Sequence, residues 1–211
     1  MKTDKNLGEN HSGYNLRVKY IFDVKRSNLF WKCTDYLACK MKKLAEAYER
    51  TVGNEYRKER EKFNLSGDKT ILHIGCGAYP ITAMVLAEMD DVKITTIDKS
   101  HRSVKLANKI IHKKNLDDKI RAEYGDGTMY PIDGFDTVII SGCSVTKIQV
   151  FEHVVKNAKS KCKIIVRDSY LDIESVINDL ALDQDIKITK KIENYAFPTS
   201  RWISYCLVKN N

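Results

Sequence analysis

Ile71–Ala87 reads ILHIGCGAYPITAMVLA, an apolar strand that runs into a glycine-containing turn and then straight into a helix. Gly75 and Gly77 can take backbone conformations closed to other residues and let main chain approach a ligand, while Pro80 suits the first turn of the helix that follows. Such a turn is a cradle for a nucleotide-type cofactor. Twenty-three residues after Gly75, a second apolar stretch, VKITTID, ends in Asp98. An acid at the tip of the second strand, ~20 residues past the glycines, is where nucleotide-binding α/β folds hold ribose hydroxyls.

Position 80 is Pro where a dinucleotide fingerprint has its third small residue, so helix and pyrophosphate could not meet closely. This argues against NAD and for an adenosine ligand without a pyrophosphate. A third strand is followed by GDG at 125–127. Three such loops in this order resemble the class I S-adenosylmethionine-dependent methyltransferase superfamily over residues 68–209. The resemblance implies that the loop with Gly75 and Gly77 faces the methionine part of S-adenosylmethionine, that Asp98 binds the ribose and that Asp126 lies near adenine. Tyr79, Pro80, Lys99, Gly127, Ser141 and Gly142, in or beside these loops, are further cofactor-binding candidates.

At 211 residues and 43% hydrophobic content, the chain suits one α/β domain with an extension and can bury a substantial core. It contains no run of about 18 apolar residues and no signal peptide, so a cytoplasmic protein without membrane association is expected. Six cysteines show no CxxC pair and no His at zinc-ligand spacing, which points to reduced, buried thiols rather than a metal site. The net charge of +8 is concentrated in residues 1–65, with 15 Lys or Arg against 9 Asp or Glu. That basic region could meet RNA, but it lacks a dense basic block with interleaved aromatics, so a solvated helical face is the better reading.

Residues 1–13 read as a disordered tail. Phe30, Cys33, Leu37, Met41, Leu44 and Tyr48 then recur every three or four residues, one face of a long amphipathic helix that Gly53 should interrupt. A further helix is expected to end near Leu65, making 14–65 a helical cap over a domain at 66–211. That domain alternates strand and helix: strands at 70–74, 92–97, 120–124, 136–140 and 162–167, with helices at 80–89, 100–115, 147–158 and 172–182. Two final strands, near 185–192 and 201–208, have no helix between them and must form an antiparallel hairpin. The expectation is a Rossmann-like doubly wound sheet, mostly parallel, with that hairpin at its edge.

Ligands of such sheets bind beyond the carboxyl ends of the strands, which directs attention to the residues there. Ser141-Gly142-Cys143-Ser144 follows the fourth strand and carries no motif for DNA-base methylation; Ser141 and Gly142 are expected beneath the methionine moiety. After the fifth come Arg167, Asp168, Ser169 and Tyr170. Arg167 either pairs with a carboxylate such as Asp168 or anchors a carboxylate of substrate or cofactor. Tyr79, Arg167 and Tyr170 are the candidate catalytic residues, with the ring of Tyr79 able to face a sulfonium. His101 and His153 are weaker candidates for a base, and His73 reads as a core or hydrogen-bonded residue.

GCGAYPIT, VRDS at 166–169 and FPTSRWIS at 197–204 are also similar to fragments of the nicotianamine synthase group, which implies transfer of the aminocarboxypropyl chain rather than the methyl. Glu46, Glu49, Glu55, Glu59 and Glu61 are the possible counterparts of that group's glutamate, with exposure the expectation for each. The leading expectation is methyl transfer to a small-molecule acceptor. Aminocarboxypropyl transfer, RNA methylation or binding, and cofactor sensing without catalysis stay open, as does a homo-oligomer.

Overall fold

The computed structural model describes residues 29–142, 146–168, 177–178, 186–196 and 200–210. Helical backbone over 29–38 (α1) leads through a break at 39–41 into α2 (Lys42–Lys62). The core follows as β1 (Thr70–Ile74), α3 (Ile81–Leu86), β2 (Lys93–Asp98), α4 (His101–Lys113), β3 (Ile120–Tyr124), β4 (Thr137–Ile140), α5 (Lys147–Asn157) and β5 (Lys163–Asp168). The hairpin β6 (Ile186–Ala196) and β7 (Ser200–Lys209) completes it. The proposed tail at 1–13, Cys143 and Tyr170 lie outside the described residues, as does the helix at 172–182 apart from 177–178.

The strands form one seven-stranded sheet in the order β3-β2-β1-β4-β5-β7-β6. β1 pairs parallel with both β2 and β4, so Ile71 stands between Ile94 and Thr137. The order reverses between β1 and β4, and the crevice that opens where such a reversal occurs is the ligand position of a doubly wound sheet. The expected hairpin is present: β7 pairs antiparallel with β5 and with β6. On the outer strand, Lys187, Lys190 and Lys191 face solvent, charges that discourage edge-to-edge pairing with another chain.

Alternation along β1 explains the layers. Ile71 points into an apolar cluster with Ile94, Ile139 and Ile165, covered by α2, α3 and α4. Leu72 and Ile74 point to the other side, toward Val138, Ile140, Ile164 and the α5 residues Phe151 and Val154. Local chemistry sets the helix ends. Ser100 caps α4 by accepting the Ser103 N–H at 3.2 Å. Asn64, at φ 55°, takes the left-handed position just past α2.

The helical extension differs from its sequence reading in two ways. Gly53 does not interrupt the helix; it lies inside α2, and the break falls at 39–41. Gly53 faces α3, where an added Cβ would meet Ile81 and Val85 at ordinary contact distances of 3.6 and 3.7 Å. The buried face is also rotated. Phe30, Cys33, Leu37 and Met41 are exposed, whereas Tyr48 is buried as expected and Asp35, Ala38, Val52, Glu55 and Glu59 are buried with it. Hydrophobic periodicity counts carboxylates as outward-facing, and here three of them point inward.

Candidate active site

Where β1 ends, the chain turns through Gly75 (φ 89°) and Gly77 (φ 65°), conformations that side-chain-bearing residues rarely adopt. The Gly75 N–H donates to Ile97 O at 2.8 Å, which ties the loop to the tip of β2. Gly77 N–H donates to Asp98 Oδ2 at 3.0 Å, and the other oxygen, Oδ1, accepts from Ser100 N–H at 2.9 Å. The carboxylate that sequence spacing singled out is thereby oriented by two backbone donors. On the opposite side, Ser141 donates to Gly75 O at 2.9 Å and its Oγ lies 2.9 Å from His73 Nε2. His73 is fully buried, and burial with the nearby Arg167 charge pushes it down to about 3, so its ring is neutral.

These loops border a cavity of about 380 Å³. Gly75, Gly77 and Tyr79 contribute to its lining from the first loop, Asp98 and Lys99 from the second, Gly127 from the third, and Ser141 and Gly142 from the fourth. Asp126 stands beside them, where Lys99 Nζ reaches its Oδ2 at 2.9 Å and Thr128 donates to its Oδ1. Burial works to raise the Asp126 carboxyl, but these donors outweigh it and hold the group below the usual carboxylate range. Pro80 is buried at the N-cap of α3. At Gly127 a Cβ would come 2.6 Å from Ile74 Cγ2, so the third loop approaches β1 as closely as a bare backbone permits.

The helical extension closes the other side. Trp31, Asp35, Tyr48, Val52 and Tyr56 line the cavity, together with Trp202 of β7. Asp35 accepts the Ala78 N–H at 3.1 Å, and a Cβ on Gly77 would lie 2.0 Å from Asp35 Oδ2. Burial pushes the Asp35 carboxyl up to about 7; bonds from Ala78, Tyr48 and Tyr79 pull the other way, and the Asp98 charge reinforces the rise. Cys39 Sγ lies 3.4 Å from Ala78 O, and the Arg102 guanidinium stacks over the Tyr36 ring at 4.8 Å. α1 is therefore seated directly on the loop that follows β1.

Of the candidate catalytic residues, Tyr79 is buried, and its hydroxyl donates to Glu49. Burial and that carboxylate raise the phenol well above its ordinary value, so it stays protonated. Glu49 is bound in turn by Lys114 Nζ at 2.5 Å. Arg167 also borders the cavity, but its guanidinium grips Glu59 of α2, with Nε 2.9 Å and Nη2 2.7 Å from Oε2. Nη1 donates to Thr82 Oγ1 at 2.8 Å, and the Tyr56 ring lies 3.6 Å beneath. Burial opposes the charge of Arg167, yet Glu59 more than compensates and holds it protonated. Asp168 does not pair with it; Lys147 Nζ takes Asp168 Oδ1 at 2.6 Å.

Glu59, expected on the surface, is 2% exposed and accepts further bonds from Trp202 Nε1 and Ser204 Oγ. Glu55 is buried as well, while Glu46 and Glu61 are exposed. Neither of the two other candidate histidines, His101 and His153, lines the cavity. His153 Nε2 lies 2.8 Å from Tyr130 O, and His101 stacks on Tyr124 at 4.0 Å. Sequence reasoning missed Asp35, Trp31 and Tyr48. The signal available was an acid among aromatic residues at helical spacing, which periodicity alone assigns to solvent.

Glycines in tight loops, an oriented acid after β2 and a cavity at the strand reversal fit an adenosine cofactor. The fold and this site define an S-adenosylmethionine-dependent transferase. Residues 61–180 match the family model described as methyltransferase small domain, and the chain belongs to that family. No curated protein matches the chain. Among solved structures, it is similar to a mutant of the nicotianamine synthase MtNAS, with TM-score 0.64 and 18% identity over 98% of this chain and 78% of that one. It is also similar to an O-methyltransferase from Bacillus cereus in complex with S-adenosylhomocysteine (0.60, 15%, 74% and 81%). A third similar structure is a methyltransferase from Aquifex aeolicus (0.57, 16%, 72% and 89%). Among the described residues, no helix is long and apolar enough to cross a membrane, and no cluster of three or more potential ligands could hold a metal.

Proposed function

We propose that the protein transfers the methyl group of S-adenosylmethionine to a small-molecule acceptor enclosed beneath α1 and α2. The observation that carries this reading is the roof over the cavity: Trp31, Tyr48 and Tyr56 from the extension line it together with Trp202 from the hairpin, whose ring lies 5.8 Å from that of Tyr56. Aromatic walls suit a compact ligand rather than a nucleic-acid strand, and the one cavity, of about 380 Å³, has to take the cofactor as well as the acceptor. In this reading Gly75, Gly77, Ser141 and Gly142 border the methionine part, Asp98 holds the ribose hydroxyls, and Lys99, Asp126 and Gly127 lie toward adenine. Alignment of acceptor and sulfonium supplies most of the rate, since positive charge on sulfur is lost as the new bond forms.

Incubation with methyl-labelled cofactor and a panel of small metabolites, read by mass spectrometry, is expected to yield a methylated metabolite and S-adenosylhomocysteine. Label appearing only in RNA overturns the reading. The likeness to the nicotianamine synthase favours a second one, because it extends through the helical extension. Methylthioadenosine accumulating in place of S-adenosylhomocysteine selects aminocarboxypropyl transfer. The free thiols of Cys39, Cys76, Cys162 and Cys206 support a reducing, cytoplasmic setting.

A further inference from the structure

Among the described residues, two carboxylates that line the cavity have no cationic partner: Asp98, held by the Gly77 and Ser100 N–H groups beyond β2, and Asp35 on α1. Arg167 is neutralised by Glu59, Lys99 by Asp126, and His73 carries no charge. Asp35 is 8% exposed and borders the cavity, yet among the described residues its bonds come from uncharged donors, the backbone of Ala78 and Tyr79 and the side chain of Tyr48. A buried carboxylate without a cation is costly, and a cationic ligand offsets that cost. Rings reinforce the preference. Trp31 and Tyr48 are stacked with centroids 5.9 Å apart, Tyr48 and Tyr79 stand 6.0 Å apart, and all three line the same space. Aromatic faces attract cations.

Three residues before Asp35, Lys32 also lines the cavity, from an exposed position. Residues three apart share a helix face, so α1 presents a buried acid and an exposed base about one turn apart. That arrangement matches the ammonium and carboxylate of an α-amino-acid head group. We propose that α1 reads the amino-acid end of S-adenosylmethionine, Asp35 taking its ammonium and Lys32 its carboxylate. The assignment rests on the cofactor reading above and is independent of which carbon is transferred. It couples the seating of α1 to cofactor binding, because the group that docks α1 on Ala78 is also the group that meets the ligand.

Titration calorimetry on the full chain tests it with two ligands, S-adenosylmethionine and methylthioadenosine, which lacks the amino-acid end. Asp35→Asn is expected to weaken S-adenosylmethionine about tenfold or more, as for loss of a charged hydrogen bond, and to leave methylthioadenosine within about twofold. Lys32→Met, at an exposed position, should show the same selectivity with a smaller loss. In the unsubstituted chain, affinity for S-adenosylmethionine should rise as pH passes upward through about 7, where Asp35 ionises, and Asp35→Asn should flatten that rise. Equal losses for both ligands, or unchanged affinity for S-adenosylmethionine, overturn the assignment. Unchanged cofactor affinity with a raised KM for an amino-acid acceptor also overturns it, by giving the subsite to the acceptor. Failure of the methyl-transfer reading looks different: selective cofactor binding persists and no methylated small molecule forms.

Discussion

Glu59 and Asp35 are both buried carboxylates on the helical extension, and their surroundings are opposite. Glu59 meets the Arg167 guanidinium in two close contacts and accepts from Trp202 and Ser204 besides. Asp35 receives only uncharged donors among the described residues and faces a cavity. A carboxylate whose charge is fully answered within the fold holds elements together. One whose charge is left unanswered is held ready for a ligand. The same extension thus carries an anchor at α2 and a reader at α1, separated by the break at 39–41.

The largest effect should come from the anchor. Glu59→Ala leaves Arg167 buried without its partner and is expected to destabilise by about 3–5 kcal/mol, measured by urea denaturation. If the loss is below about 1 kcal/mol, the anchor and reader do not differ as described. Asp35 should behave in the reverse sense. Its carboxyl titrates higher in the fold than in the unfolded chain, so the stability it confers is complete below about pH 4 and is lost as pH rises through about 7. Asp35→Asn should flatten that slope and leave the protein at least as stable at pH 8; a steeper slope in the variant breaks the contrast.

Smaller effects sharpen it. Asp98→Ala is expected to weaken cofactor binding by about 1–3 kcal/mol in calorimetry, with little change in the unfolding midpoint. Gly77→Ala should cost about 1–2 kcal/mol from its positive φ, and more wherever Asp35 is present to collide with the new Cβ. A double-mutant cycle with Asp35→Ala measures that excess, and strict additivity removes the proposed contact. Tyr79→Phe loses only the hydroxyl bond to Glu49 and should cost about 1 kcal/mol, readable as a small shift in midpoint.

Much of the sheet was legible because its signals are local. The strand expected at 120–124 is β3 itself, and every described strand of the parallel core starts within one residue of its expected position. Gly75, Gly77 and Asp98 were found together because a turn, a strand length and a register determine their spacing. The roof was not legible for a physical reason. Periodicity assigns acids to water, and only contacts across 108 residues, from Glu59 to Arg167, make it favourable to turn one inward. Arg167 was recognised as a residue needing a carboxylate, but its own sequence neighbourhood pointed to Asp168, whereas Lys147 claims that partner from α5.

The Glu59 network also bears on how the chain acquires its structure. Trp202 and Ser204 reach Glu59 across sequence separations of 143 and 145 residues. During synthesis, α2 must therefore persist with its acid and the later Arg167 incompletely satisfied until the hairpin has emerged and paired beside β5. Contacts this distant carry loop-closure entropy before they return any bonding, which slows folding. Until the hairpin docks, the edge of β5 that pairs with β7 has no partner, and an unpaired strand edge is where another chain can add.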